Sequence, residues 1–489
     1  MENPSQEPPN RTVLLQAERH LAPTPHAGVP RTHYIHHPFH VPEGTSKVGL
    51  TLSFHKERLA QLFVSLHDPT GFRGNRMNPG ARGDVVLELW VAPDDASEGG
   101  VTGSLPVGAW RVQVDVEAVG EETDYHLEVY AEFGAVPAPV VIAYPHDHVV
   151  RSEAGWYKGE LHAHSTESDG QVPVAQVVEA AMDLGLDFVA LSEHFTISQW
   201  RKLAPLVNDR MAFLRSCEIT GHQGHANLHG IQEWIDVYVD RPDYSMDQAA
   251  DAVHAQGGLF CVNHPFSGNL GWRAYDFDWS KADLMEVYHN LEGPNNTLQG
   301  PLWDHHLRVG HRVVGVGGID SHHPRQSIHA LGQVVTWVHA PELSEKGIIQ
   351  GLRRGQVYAS RGPELRFHAE DSAGNKANMW ESLPLGSGSV TFEVQIKSAQ
   401  PLRLFVLRDG YPFDMWTLDE PGAAWQTLTF VDSPHRPAYY RLELHTIKHD
   451  DLYRFVQWRD WTTVQALSNP IWVGQPEMKG TAAPKARTS

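Results

Sequence analysis

Apolar and polar residues alternate with period two through residues 46–135. Trp110, Val112, Val114 and Val116 take one face of such a stretch, while Arg111, Gln113 and Asp115 take the other, which predicts a half-buried antiparallel strand. The runs "KVGLTLSF", "RLAQLFVSLHDP", "DVVLELWV" and "DYHLEVYAEF" repeat the pattern between clusters of Gly, Pro and Asp, so residues 46–135 read as a small β-sandwich. Residues 1–45 read as an N-terminal extension, and 136–154, containing "GAVPAPVVIAYPHDH", as a proline-stiffened linker. Between 155 and 362 the period changes. Short apolar runs now alternate with helix-like segments, "PVAQVVEAAMDLGL" and "MDQAADAVHAQGG", and Pro173 and Gly185 suit the start and end of the first. Strand then helix, repeated, predicts an α/β unit with a mostly parallel sheet or barrel. From 363 to 489, "SVTFEVQI", "LRLFVL", "YYRLELH" and "PIWV" return to alternation, predicting a second sandwich; no repeat joins the two.

Composition narrows the function classes. The chain of 489 residues is long enough for several cores, and no apolar run reaches the roughly 18–20 residues of a membrane span. The first twenty residues lack the basic-then-apolar order of a secretion signal, so the expected compartment is the cytoplasm. Cys217 and Cys261 sit in apolar runs and read as small buried hydrophobes. A formal charge of −20 argues against a nucleic-acid backbone as the main partner. The anomaly is the count of 31 histidines, since neutral imidazole is the commonest ligand for zinc-like ions.

These histidines fall at or just past apolar strands, together with carboxylates. The sets are His162 and His164 in "ELHAHS", Glu193 and His194 in "FVALSEH", Glu218 in "FLRSCEI", His225 and His229 in "GHANLHG", His264 in "LFCVNHP", Glu286 in "LMEVYHN", and Asp320 with His322 in "VVGVGGIDSHH". In parallel α/β folds the C-terminal strand ends are where active sites assemble. The i, i+2 spacing of His162 and His164 puts both rings on one face of a strand, where they can chelate one ion. A histidine-rich solvated rim is the plainer reading, but a rim would not repeat the order of apolar strand then ligand.

The blocks "HAHSTESDG", "ALSEH", the single Glu218, "NHP" and "DSH" resemble the motifs of the polymerase and histidinol phosphatase (PHP) superfamily over roughly residues 155–325. "GWYKGELHAHSTESDGQVPV" and the ending "VYASRGP" further resemble its carbaryl hydrolase (CehA/McbA-like) branch. The resemblance implies a distorted (β/α)7 TIM-like barrel with two or three divalent transition-metal ions at the C-terminal face. It implies that His162, His164, Glu218 and Asp320 hold one ion, and that Glu218 bridges to a second held by His264 and a histidine following Glu218. His229 is favoured for that place, with His225 as competitor. Asp169, His194 and His322 would hold a third ion. Glu218, Asp320 and His322 are also the candidate catalytic groups. Glu193 stands where the family has aspartate and is expected to orient a ligand histidine as an outer acceptor. Imidazole and carboxylate without thiolate suit Zn, Mn or Fe, and a carboxylate bridge suits metal-assisted hydrolysis.

Arg325 and Arg361 could bind an anionic substrate group, but a surface ion pair is the expected role for each. Glu286 is a candidate ligand support. Trp272, Tyr275, Phe277 and Trp279 could cover the site or simply pack a loop; His305, His306 and His311 read as structural. Neither a phosphate-cradling glycine loop nor a Gly-x-Ser-x-Gly elbow is present. The expected function is hydrolysis of a small anionic ester, foremost a phosphomonoester or small phosphodiester. A carbamate or aryl ester is the alternative, and a catalytically silent scaffold with partner- or glycan-binding sandwiches is the reading from another class. Homo-oligomerisation stays open.

Overall fold

The computed structural model describes residues 10–23, 33–56, 60–77, 82–140, 144–241, 243–289, 293–326, 329–447 and 464–474. Parts of the expected extension, linker and C-terminal sandwich, including 1–9, 141–143, 448–463 and 475–489, lie outside them.

Two four-stranded antiparallel sheets form the N-terminal part. One orders the strands Asn10–Leu21, Thr123–Phe133, Thr45–Lys56 and Gly83–Val91; the other His33–Val41, Gly108–Val119, Ala60–Asp68 and Gly71–Arg76. Leu50, Leu52, Leu87, Val112, Val114 and Val129 fill the core between them. Two of these strands fall in the segment read as an extension, because the short polar runs around "QAERH" and "HYIHHPFHV" take their strand form from pairing with Thr123–Phe133 and Gly108–Val119. The alternation in Gly108–Val119 also ends differently from expectation. Arg111 is exposed, but Gln113 and Asp115 are buried, since Tyr238 of the central region covers their side: Ser65 Oγ contacts Asp115 Oδ2 at 3.4 Å and Tyr238 OH at 2.5 Å.

The central strands form a mixed sheet. Gly155–Ala163, Phe188–Leu191 and Ala212–Gly221 are parallel neighbours, as are Leu259–Val262, Leu284–His289 and Val314–Gly318. Between the two groups runs Gly224–His229, antiparallel to both its neighbours, and Val335–Ala340 pairs antiparallel with Gly155–Ala163. The strand order is therefore less uniformly parallel than the sequence pattern predicts. The exits of the first and last ligand-bearing strands meet, because His164 N–H donates to Ser321 O at 2.9 Å and Ser321 N–H to His162 O at 3.2 Å. Helix Val174–Asp183 starts after Pro173 and buries Val174, Val177, Val178 and Ala181; Met246–Ala255 starts on a Ser245–Gln248 capping box.

The C-terminal strands do not stand apart. Val464–Ser468 pairs with Val357–Ser360, so the central sheet continues through Ala438–Thr446, Leu402–Arg408 and Tyr411–Leu418. A four-stranded sheet, Lys376–Asn378, Glu364–Asp371, Val390–Ser398 and Gly422–Asp432, faces it across a core of Phe367, Phe392, Leu404, Leu442 and Leu444. Among the described residues, no helix is long and apolar enough to cross a membrane.

Candidate metal centre

One buried carboxylate organises the strand ends. Glu218 Oε2 lies 3.3 Å from His162 Nε2, 3.4 Å from His164 Nε2 and 3.0 Å from His194 Nδ1. Its other oxygen, Oε1, lies 3.1 Å from His225 Nδ1 and 3.8 Å from His264 Nε2, and accepts from Asn263 Nδ2 at 2.9 Å. Asp320 Oδ1 closes a second group at 3.3 Å from His162 Nε2 and 3.0 Å from His164 Nε2. Asp169 makes a third, with Oδ1 3.5 Å from His194 Nε2 and Oδ2 3.0 Å from His322 Nε2. Parallel pairing brings these residues together: the Gly155–Ala163 strand supplies His162 with His164 just beyond it, and a bridge between His194 and Glu218 aligns the next two exits.

Backbone strain concentrates at the same exits. Of the five non-glycine residues with positive φ among those described, His264 (23°) and Asp320 (54°) are candidate ligands, and Phe195 (53°) follows another. Such conformations cost about 1–3 kcal/mol each and persist where the surroundings over-determine them. Here Phe63 and Tyr238 pack on Phe195, at ring-centroid distances of 5.9 and 5.5 Å.

Burial and charge pull the groups of the cluster in opposite directions. Burial alone would raise the carboxyl of Glu218, but the imidazoles of His194 and His162 hold it well below the usual range; His162 and His322 do the same for Asp320. Burial opposes charge on His322, yet Asp169 and Asp320 raise it to about 10. His164 is pushed down to about 4 by burial and by His194 and His322.

The residues present fit divalent ions. Two ligands each about 2.1 Å from one ion sit about 3–3.5 Å apart, matching most of the N···O separations above. His164 Nδ1 and both ring nitrogens of His264 are buried without a hydrogen-bond partner among the described residues, an arrangement that is costly unless something else satisfies them. Ligand-type atoms of His162, His164 and Asp320, of His162, Glu218 and His264, and of His164, His194 and His322 lie within 4.8 Å of one another.

Two expectations need correction, those for His229 and Glu193, while Arg325 and the loop aromatics take the plainer of the two roles open to them. His229 is not beside Glu218: its Nδ1 meets Ser216 Oγ at 2.8 Å, and burial and His162 push its pKa down to about 3. The reason is direction. Gly224–His229 runs antiparallel, so its C-terminal end points away from the cluster and its beginning, with His225, lies at it. Glu193 orients no histidine. It accepts from Ser165 N–H at 2.9 Å, Ser165 Oγ at 2.6 Å and Ser168 Oγ at 2.5 Å, pinning the loop that carries Asp169, while burial raises its pKa to about 7. Arg325 pairs with Asp183 at 2.6 Å on the surface, and the exposed Arg361 lies beside Tyr288. Trp272, Phe277 and Trp279 pack on one another and Phe260, leaving Tyr275 exposed; His306 stacks on Trp279.

Asn263, Thr220 and His289 also belong to the cluster, though the sequence alone does not single them out. Asn263 fixes Glu218 Oε1, Thr220 Oγ1 meets His194 Nδ1 at 2.5 Å, and His289 lies 3.0 Å from Glu286 Oε2. His289 ends its strand, so the strand-end pattern itself could have found it. Glu160, whose pKa burial raises to about 8, accepts from the N–H groups of His162 (3.0 Å) and Ile319 (3.1 Å), tying the two strands beneath the site.

No family model matches the chain, and no curated protein matches it. Among solved structures, it is similar to a two-domain Bacteroides vulgatus protein containing a predicted PHP-like metal-dependent phosphoesterase (17% identity, 69% of this chain and 100% of that one, TM-score 0.38). It is also similar to a protein from Bifidobacterium adolescentis described as a putative metal-dependent phosphoesterase (17%, 34% and 87%, 0.27) and an amidohydrolase from Chromobacterium violaceum (16%, 35% and 90%, 0.29). Overlaps this partial leave the functional reading to the site itself.

Proposed function

We propose that the chain is a metal-dependent hydrolase of the PHP kind, with two or three divalent Zn, Mn or Fe ions, acting on a small anionic phosphomonoester or phosphodiester. The observation that carries this reading is Glu218, whose two oxygens face two different sets of buried imidazoles. His162, His164 and Asp320 would hold one ion, His225 and His264 the next, and Asp169, His194 and His322 a third. The proposal includes a distorted (β/α)7 barrel for residues 155–362, supported by the four parallel pairs and the meeting of the His162 and Ser321 strands. The flanking sandwiches belong to it too, the first beginning at Asn10.

Bound ions would lower the pKa of a water and polarise an ester oxygen. The protein's part is placement. Glu218 keeps two ligand sets at a fixed separation, Asn263 fixes the orientation of its carboxylate, and Glu193 holds the Asp169 loop against the His164 strand. The side chains of Asp320 and His322 are 20% and 33% exposed while the histidines around them are buried, so the substrate reaches the centre from their side.

The second reading, a carbamate or aryl-ester hydrolase, gains from the placement of Arg325 and Arg361, which are engaged with Asp183 and beside Tyr288. A panel of nitrophenyl phosphate, bis-nitrophenyl phosphate, naphthyl carbamate and naphthyl acetate with Mn- and Zn-reconstituted protein separates the two. Metal-dependent phosphoester turnover with competitive inhibition by phosphate supports the first; indifference to phosphate with fast carbamate cleavage moves the assignment to the second.

A further inference from the structure

Glu286 lies beneath the cluster, almost fully buried, and its two oxygens each take one hydrogen bond. Oε1 accepts from His162 Nδ1 at 2.7 Å. Oε2 accepts from the backbone N–H of His264 at 2.8 Å and lies 3.0 Å from His289 Nδ1. His289 is itself anchored, its N–H donating to Asn296 Oδ1 at 2.8 Å and its carbonyl accepting from Asn296 Nδ2 at 2.9 Å. The carboxylate has room only because residue 318 is glycine. A Cβ there would stand 2.1 Å from Glu286 Oε1 and 2.9 Å from its Cδ.

His162, Glu286 and His289 are close enough to form an ion site of their own. The direction of His162 argues otherwise. Its Nε2 already faces Glu218 and Asp320, and a neutral imidazole that offers a lone pair at Nε2 carries its proton on Nδ1, where Glu286 is the acceptor. A carboxylate in that position fixes the tautomer and ring plane of a ligand histidine and raises its basicity. The same carboxylate holds the backbone of His264, which has a φ of 23° and would relax without a fixed acceptor.

We propose that Glu286 is a positioning residue that sets two candidate ligands from different strands, His162 through its ring and His264 through its backbone, and that Gly318 exists at its position to admit the carboxylate. The inference rests on the metal-centre reading. Glu286 connects His162, on one side of Glu218, with the backbone of His264, on the other.

The test measures ion affinity by chelator competition, and the visible spectrum of the cobalt-loaded protein, for wild type, Glu286→Ala, Gly318→Ala and the double variant, with thermal melts to show that each is folded. Both single variants are expected to weaken the tightest ion by about 10- to 100-fold and to alter the cobalt spectrum. Gly318→Ala removes no polar group, but its Cβ would also stand 3.3 Å from His162 Cβ, so the double variant separates the two routes: an effect that passes through Glu286 leaves the double variant no weaker than Glu286→Ala alone. Affinity within twofold of wild type and an unchanged spectrum in Glu286→Ala would overturn the proposal while leaving the metal reading intact. Additive losses would overturn the role of Gly318. Wild-type protein that binds no ion would overturn both the inference and the reading beneath it.

Discussion

His225 Nδ1 lies 3.1 Å from Glu218 Oε1 across the hairpin of Ala212–Gly221 and Gly224–His229, whereas His229, four residues further on, is turned to Ser216. The hairpin thus supplies the carboxylate and the histidine of one ligand set from two adjacent strands. His225→Ala is expected to lose about one ion per chain and to lower turnover by roughly 100-fold or more, while His229→Ala keeps its metal and stays within about threefold of wild type. Elemental analysis beside steady-state kinetics checks this, and the opposite ranking would return the ligand role to His229.

Glu218→Gln probes the bridge. A neutral amide carries no charge to hold two cations together, so the variant should keep one ion at most and almost no activity. Near-normal turnover with unchanged metal content would remove Glu218 from the centre of the account.

Asp169 and His322 form the most accessible group, with His322 one-third exposed. Asp169→Ala and His322→Ala should each lose about one ion and slow turnover by roughly 10- to 1,000-fold with little change in melting temperature. Full occupancy and full activity in both would reduce the site to two ions.

Asp115 gives a pH dependence away from the metals. Burial raises its pKa to about 8 against hydrogen bonds from Gln113 and Ser65, with Asp236 adding to the rise, whereas the unfolded chain releases the proton near 3.8. Below about pH 4 both states are protonated. Between 4 and 8 only the unfolded state ionises, so this group lowers stability as pH rises, by at most about 1.4 kcal/mol per pH unit, and the loss levels off above 8. Asp115→Asn lacks this term. Its stability relative to wild type, from urea unfolding at pH 5 and pH 8, should shift in the variant's favour at the higher pH; a difference independent of pH would mean that Asp115 is ionised in the folded protein.

Much of the site was legible because parallel strands deliver their C-terminal ends to one side. His162, His164, His194, Glu218, His264, Asp320 and His322 were all found by that rule, and the structure gathers them. The rule named both His225 and His229 and the resemblance favoured His229, but Gly224–His229 runs antiparallel and so brings His225 to the cluster. Asn263 and Thr220 were beyond it, and it placed Glu193 at a strand end without its contacts, since what these residues touch depends on register and loop path. The fold shows the same division. Alternation located the strands of residues 46–135, but Asn10–Leu21 and the buried Asp115 depend on what packs beside them, which period two does not encode.

The central claim is a centre of two or more ions bridged by Glu218. Crystals of metal-replete protein, measured at the absorption edge of the bound element, test it most directly. At least two anomalous peaks are expected on opposite sides of the Glu218 carboxylate, one by His162, His164 and Asp320 and one by His225 and His264. A map with these side chains ordered and no peak between them would contradict it.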